Sequence, residues 1–344
     1  MHPEWGPFLE NLGARRDDTG TPHFGEPHLE QQAAASLNII ADLSHQSLIR
    51  ASGDDVASFL QGQLTNDISQ VTEKRAQLSA YCNAQGRMLT VFRIFLQGRT
   101  YMLQLPAALR ERILQRLRLY VLRAKVDLQA DDHWVSIGLS GPDALASLSS
   151  YVRAVPQTVD DCHTFDQVTV LRLAGPHPRF QIITDIDTAK KLWTDLIPSA
   201  TPVAANAWAW LDIAAGIPTI YPQTCEAFVP QMANLDLLHG ISFDKGCYSG
   251  QEIVARVRYL GKLKQRMYRA HVRTAQAPKA GEPLYAPDRP NQPVGTVVDA
   301  QLSPTGGYDL LAVVQLASVE AGPVALADAN GPVLTLSSLP YALR

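Results

Sequence analysis

At 344 residues, with 46% hydrophobic and 18% charged residues, the chain exceeds the usual size of one hydrophobic core and is too apolar to be largely disordered. Its net charge of -3 gives no overall attraction to nucleic acid, so phosphate binding would need a local basic patch. No run approaches the roughly 18 apolar residues that cross a bilayer, which excludes a transmembrane reading.

Residues 1–30 carry Asp17, Asp18, Glu26 and Glu30 among prolines and glycines, without the apolar centre of a signal peptide, and read as a mobile or loosely docked lead-in, or alternatively as a short element packing on the first domain. The first ordered unit starts near Leu37–Leu43 and continues through a strand at Ser47–Ala51. A helix capped by Gly53 or Asp54 then carries Val56, Phe59, Leu60 and Leu64 on its buried face. Leu78–Cys82 and Met88–Leu96 form a hairpin through Asn83-Ala84-Gln85-Gly86, followed by a strand at Tyr101–Leu105. A helix from Pro106 to Tyr120 buries Leu109, Ile113, Leu117 and Tyr120 and turns its arginines to solvent.

A second run of the same kind follows. It has a strand at Trp134–Gly138, a helix at Pro142–Tyr151, strands at Val168–Leu173 and Phe180–Thr184, and a helix at Thr188–Leu196. The helix Asn206–Ala215 is stopped by Gly216 and Pro218. After about Lys264 short strands at Met267–Val272, Pro293–Ala300, Leu310–Leu316 and Pro332–Leu336 alternate with turn residues, the texture of a small barrel. The fold class is therefore α+β: an α+β region over 31–264, made of two ferredoxin-like units split near 130 and 205, and a C-terminal β-barrel over 265–344.

The four cysteines, Cys82, Cys162, Cys225 and Cys247, have neither a close pair nor zinc-type spacing, which fits free thiols in a reducing cytoplasm. The sequence contains no Gly-x-Ser-x-Gly elbow and no phosphate-binding loop, and its nine histidines show no metal-ligand spacing. The chemistry concentrates instead in Lys245-Gly246-Cys247-Tyr248-Ser249-Gly250-Gln251-Glu252. A neighbouring ammonium and the positive end of a helix both favour thiolate, the nucleophilic form. The alternative from these residues alone is a small buried thiol beside a turn. In that setting Lys245 stabilises the thiolate or binds an anionic tail, Tyr248 walls the pocket, and Gln251 and Glu252 add polar contacts. Glu252 equally serves as a first-turn acid. The run Arg256, Arg258, Lys262, Lys264, Arg266 and Arg269 reads as an anion site or as a solvated connector. Gln63, Asn66 and Asp67 line a ligand opening or cap the chain turn.

The octapeptide, paired with Gln61-Gly62-Gln63-Leu64-Thr65-Asn66-Asp67 and with Ala215-Gly216-Ile217-Pro218, resembles the YgfZ group of folate-binding proteins, relatives of the glycine-cleavage T protein. The resemblance runs from about Leu37 to the C-terminus. It implies a ring-like arrangement around an opening that binds tetrahydrofolate, and a role in making, maintaining or repairing iron-sulphur enzymes, including those that thiolate tRNA. The motif cysteine, here Cys247, is implied to be required. The implied partners are a folate-type small molecule and iron-sulphur enzymes or their assembly machinery, with tRNA reached only indirectly. Alternatives are a tetrahydrofolate-dependent one-carbon transferase or demethylase, and a non-catalytic scaffold for a partner protein or RNA.

Two departures stand out. T proteins carry an aspartate in the strand after the Asn-x-x-Gly turn, whereas Gly86–Phe92 holds no carboxylate, so aminomethyl transfer loses its base. Ala214 replaces the glutamate that in relatives pairs with the pterin, and each buried donor left unpaired costs about 1 to 3 kcal/mol. Asp212, two residues earlier, is expected to point elsewhere on the helix.

Overall fold

The computed structural model describes residues 2–16, 22–259, 261, 263–287 and 289–343. Asp17, Asp18 and Lys262, which figured in the sequence reading, lie outside the described residues.

One antiparallel sheet has the order Gln77–Cys82, Met88–Gln97, Thr100–Pro106, Gln46–Ser52, Asp127–Asp131. Helices Val56–Gln63 and Ala107–Arg118 cover it through Val56, Phe59, Leu60, Leu109, Ile113 and Leu117, the stripe expected from helical spacing. The second helix ends at Arg118, so Tyr120 leaves the stripe and is 45% exposed rather than buried. The first is capped at Asp55, not at Gly53 or Asp54, and the Asp55 carboxylate turns away to accept from Lys125 N at 2.8 Å.

A second sheet has the order Cys162–Phe165, Val168–Leu173, Arg179–Thr184, Val135–Ser140, Ile39–Asp42, Thr201–Val203, parallel only in its last pair. Ile39–Asp42 therefore belongs here and not with the strand that follows it in sequence. The cause is two-sided burial: Ile39 and Ala41 face the inter-sheet core with Trp208, while Ile40 faces Trp193 on the opposite side. A strand apolar on both faces fits the middle of a sheet covered on both sides, and its position in sequence does not reveal which sheet.

The lead-in is in part a packed element. Helix Trp5–Asn11 buries Trp5 and Leu9 completely, stacks Trp5 on Phe8 at 5.3 Å and sets it edge-on to Trp193 at 5.5 Å. Trp5 Nε1 donates to Asp42 Oδ1 at 2.9 Å, so the indole leaves no orphan donor. Glu30, on helix Pro27–Ser36, is also buried. Its carboxylate accepts from Phe24 N at 2.8 Å and Ala204 N at 2.5 Å, capping helix Ala205–Ala215, whose own N-cap is an alanine.

The third sheet is a curled six-stranded antiparallel half-barrel, ordered Ala325–Leu326, Pro283–Tyr285, Gly295–Leu302, Tyr308–Gln315, Gln265–Val272, Thr335–Ser337. Polar side chains tie it to the rest. Trp210 Nε1 donates to Asp309 at 2.8 Å, Tyr221 Oη to Asp299 at 3.0 Å, and Asn234 Nδ2 to the Met267 carbonyl at 2.8 Å.

Truncating Trp5 removes a fully buried indole from the face against Trp193. Trp5→Ala should lower unfolding free energy by about 3 kcal/mol, read as a lower urea midpoint at unchanged slope. An unchanged midpoint would mean that the helix is not docked.

Candidate functional site

The octapeptide is fastened at both ends. Lys245 Nζ donates to three backbone carbonyls, those of Gln61 and Leu64 at 2.7 Å and Asn66 at 2.8 Å. All three ammonium protons thus point into the other sequence motif, and the Tyr248 ring lies 5.2 Å from the nitrogen. Burial pushes the Lys245 ammonium down to about 8, opposed by the nearby Asp67 charge. With these donors occupied, Lys245 neither binds an anionic tail nor points an unpartnered charge at the thiol, and its role is to hold the loop.

The receiving segment is itself locked by side chain to backbone bonds. Asn66 Nδ2 donates to the carbonyls of Leu78 at 2.9 Å and His239 at 2.7 Å. Thr65 Oγ1 donates to the Gly240 carbonyl at 2.7 Å and accepts from Ala80 N at 2.8 Å. Gln61 accepts from Ile68 N and donates to Asp67. Burial raises the Asp67 carboxyl, but hydrogen bonds from Ser69 and Gln61 and the Lys245 charge win and hold it below its usual range. Asn66 and Asp67 therefore act as capping and bracing residues of a turn rather than as part of a ligand opening. Gln63 ends helix Val56–Gln63 with its Oε1 buried and without a partner among the described residues.

At the other end Gly250, at φ +81°, sits on the hairpin turn 83–86. A Cβ there would lie 2.4 Å from the Asn83 carbonyl oxygen and 2.7 Å from Gly86 Cα, so only glycine permits the contact. Helix Gln251–Tyr259 begins just after it, so Cys247 stands four residues before the first helical residue and not at the helix start. Between the two anchors Tyr248 is buried and Cys247 is exposed. The structure thus rejects the buried-thiol alternative. Gln251 makes one long contact, 3.5 Å to the Gly246 carbonyl, and Glu252 and Arg256 are exposed on the helix. The basic run is not one patch: Arg258 stacks over Phe243 at 4.2 Å, and Arg266 forms a buried two-point pair with Asp236 at 2.6 and 2.9 Å.

A second feature is a small, open cleft between the first two sheets and helix Ala205–Ala215, lined among others by Val91, Arg93, Gln181, Trp208, Asp212 and Pro218. Trp208 and Asp212, one turn apart, share the helix face toward it. Asp212 consequently faces the cleft, contrary to the expectation from sequence, whereas Ala214 lies off that face. Arg179, fully buried, donates to Asp212 Oδ1 at 2.7 Å and to the Trp208 carbonyl at 3.2 Å, with its guanidinium 4.1 Å above the Trp208 ring. Arg93 pairs with Asp160 at 2.8 Å. Gln181 is 2% exposed and its Nε2 has no partner among the described residues. Arg93, Arg179 and Gln181 were not singled out in the sequence, although for Arg93 and Gln181 a polar residue inside the otherwise apolar runs Met88–Leu96 and Phe180–Thr184 was a readable signal.

The chain belongs to the YgfZ family. It is 32% identical, over 92% of its length and 98% of the relative's, to the tRNA-modifying protein YgfZ of Klebsiella pneumoniae (strain 342). Residues 26–197 match the GCVT N-terminal domain. The fold is that of glycine cleavage system aminomethyltransferase T from Bartonella henselae, with a TM-score of 0.82 over 99% of this chain and 97% of the other at 19% identity. Within that fold the YgfZ-type chain keeps Cys247 outside the cleft, on the anchored loop. No helix among the described residues is long and apolar enough to cross a membrane.

The half-barrel strand Gly295–Leu302 carries a buried titration of its own. Burial raises the Asp299 carboxyl to about 7, although hydrogen bonds from Tyr221, Ala300 and Gln301 oppose it. The folded state therefore holds a proton that the unfolded state has lost between about pH 4 and 7, and burial of the ionised group costs stability above pH 7. The gain in urea midpoint from Asp299→Asn, relative to wild type, should be larger at pH 8 than at pH 5. An equal effect at both would contradict the raised value.

Proposed function

We propose that this protein supports tRNA modification as a folate-binding accessory to iron-sulphur enzymes, with Cys247 as its reactive group. The observation that carries this reading is the thiol's position: exposed, on a loop whose flanks are locked by Lys245 and Gly250, within reach of a macromolecular partner. A relative named as tRNA-modifying supports the process, and the family resemblance supplies the link to iron-sulphur enzymes.

For a tetrahydrofolate-type ligand the cleft offers a fitting set of groups. Trp208, Ile217 and Pro218 give flat apolar walls, and Asp212 is an acceptor facing inward. Bound there, tetrahydrofolate would supply a carrier for one-carbon units. The chain's own contribution is binding and orientation. Val91 lines the cleft and no carboxylate stands between Gly86 and Phe92, so the chain offers no base there for aminomethyl transfer. This disfavours the one-carbon transferase reading. The scaffold reading leaves the exposed thiol without a role.

Cells lacking the native protein should recover thiolated tRNA nucleosides, measured by mass spectrometry, with the wild-type chain but not with Cys247→Ser. Because the side chain is exposed, the variant should accumulate normally, within about 0.5 kcal/mol of wild-type stability. Full recovery with Cys247→Ser would overturn the role of the thiol.

A further inference from the structure

Helix Ala107–Arg118 ends in an apolar tip that the described chain leaves uncovered. Leu119 is 73% exposed, Tyr120 45% and Leu122 87%, three large apolar side chains within four residues. The tip is nevertheless braced. Val121 packs against the first core, Arg118 Nε and Nη2 donate to the Leu128 carbonyl at 3.0 and 2.6 Å, and Lys125 N donates to the Asp55 carboxylate at 2.8 Å. Gly53 seats the far end, where a Cβ would come within 2.1 Å of the Lys125 carbonyl oxygen. Leu122 is held at φ +49°, a left-handed conformation that leucine rarely adopts. The leucines are thus presented in a fixed shape before any partner arrives, which limits the ordering cost of binding.

The surrounding charge has one prevailing sign. Residues 110–125 hold six arginines and lysines against a single carboxylate, Glu111, in a chain whose net charge is -3. Arg110 is paired with Asp132 at 2.6 Å and Lys125 with Asp54 at 3.3 Å. Arg123, by contrast, is exposed and has no hydrogen bond or ion pair among the described residues, and Arg112 meets Glu226 only at 3.8 Å. The same face runs toward the thiol loop, because Glu226 also accepts from Asn83 Nδ2 at 2.8 Å and Asn83 lies in the turn that receives Gly250. A centre of leucine and tyrosine with an arginine rim complements a folded protein that is apolar in the middle and acidic around it. Leucine gives a nucleobase no stacking face, and a second copy of this chain would bring like charges together. We propose that this tip docks an acidic partner protein on the side of the chain where the loop of Cys247 is anchored. What the docked partner then undergoes rests on the thiol reading, whereas the contact itself needs only the tip.

Photoreactive p-benzoylphenylalanine in place of Leu119 or, separately, of Leu122, irradiated in living cells, tests the surface, with the adduct identified by mass spectrometry. The expected product at either position is one protein of net negative charge. Once purified, that protein should bind wild type and bind the double variant Leu119→Asp, Leu122→Asp about tenfold or more weakly. Arg112→Glu with Arg123→Glu should slow its association about tenfold at low salt, with the difference shrinking as salt is raised. All four side chains are exposed, so these variants should fold as wild type does, read as an unchanged urea midpoint. Equal affinity of the leucine variant would overturn the proposal. An adduct with RNA, phospholipid or a second copy of the chain, or no adduct at either position, would overturn it as well. Full recovery of thiolated nucleosides with Cys247→Ser would remove the role of the thiol but leave the docking surface to be decided by the adduct.

Discussion

Everything distinctive about the thiol loop depends on a single ammonium group. Lys245 reaches from the octapeptide to the carbonyls of Gln61, Leu64 and Asn66, and in doing so joins two motifs 179 to 184 residues apart in the chain. Each charge-assisted bond of this kind contributes on the order of 1.5 to 3 kcal/mol. Losing the side chain strands three partly buried acceptors as well as freeing the loop. The same bonds explain why the upstream segment reads as polar. Gln61, Thr65, Asn66 and Asp67 shape a turn that presents its carbonyls in one direction.

The thiol and the cleft are separate features of one scaffold. The cleft lies between two sheets and behind Trp208, whereas Cys247 stands on the surface beyond the hairpin turn that receives Gly250. The lysine and glycine that flank the cysteine are what a surface loop needs to keep a fixed shape. The cleft opens between the sheets, while the thiol is offered outward from the anchored loop.

Much of this was legible in the sequence, for definite reasons. Helical spacing gave the covered faces of Val56–Gln63 and Ala107–Arg118, turn residues gave the hairpin around Asn83–Gly86, and Gly216 ended helix Ala205–Ala215 in the left-handed conformation. Facts set by long-range contact were not legible. Ile39–Asp42 joins a sheet whose other strands lie far downstream, and the Trp5 helix is ordered by a partner at Trp193. In the site, the motif residues were visible but their roles were not, because composition shows a lysine beside a cysteine and does not show where three ammonium protons go. Asp212 was misjudged because helix phase was reckoned from Ala214 instead of from Trp208, the residue that faces the cleft.

Hydrogen exchange of Lys245→Met against wild type tests the central role of that ammonium most directly. The account predicts that protection falls together in residues 61–68 and 242–254, while the half-barrel strands Gln265–Val272 and Tyr308–Gln315 keep theirs. Loss confined to the octapeptide, or no loss in either segment, would contradict it.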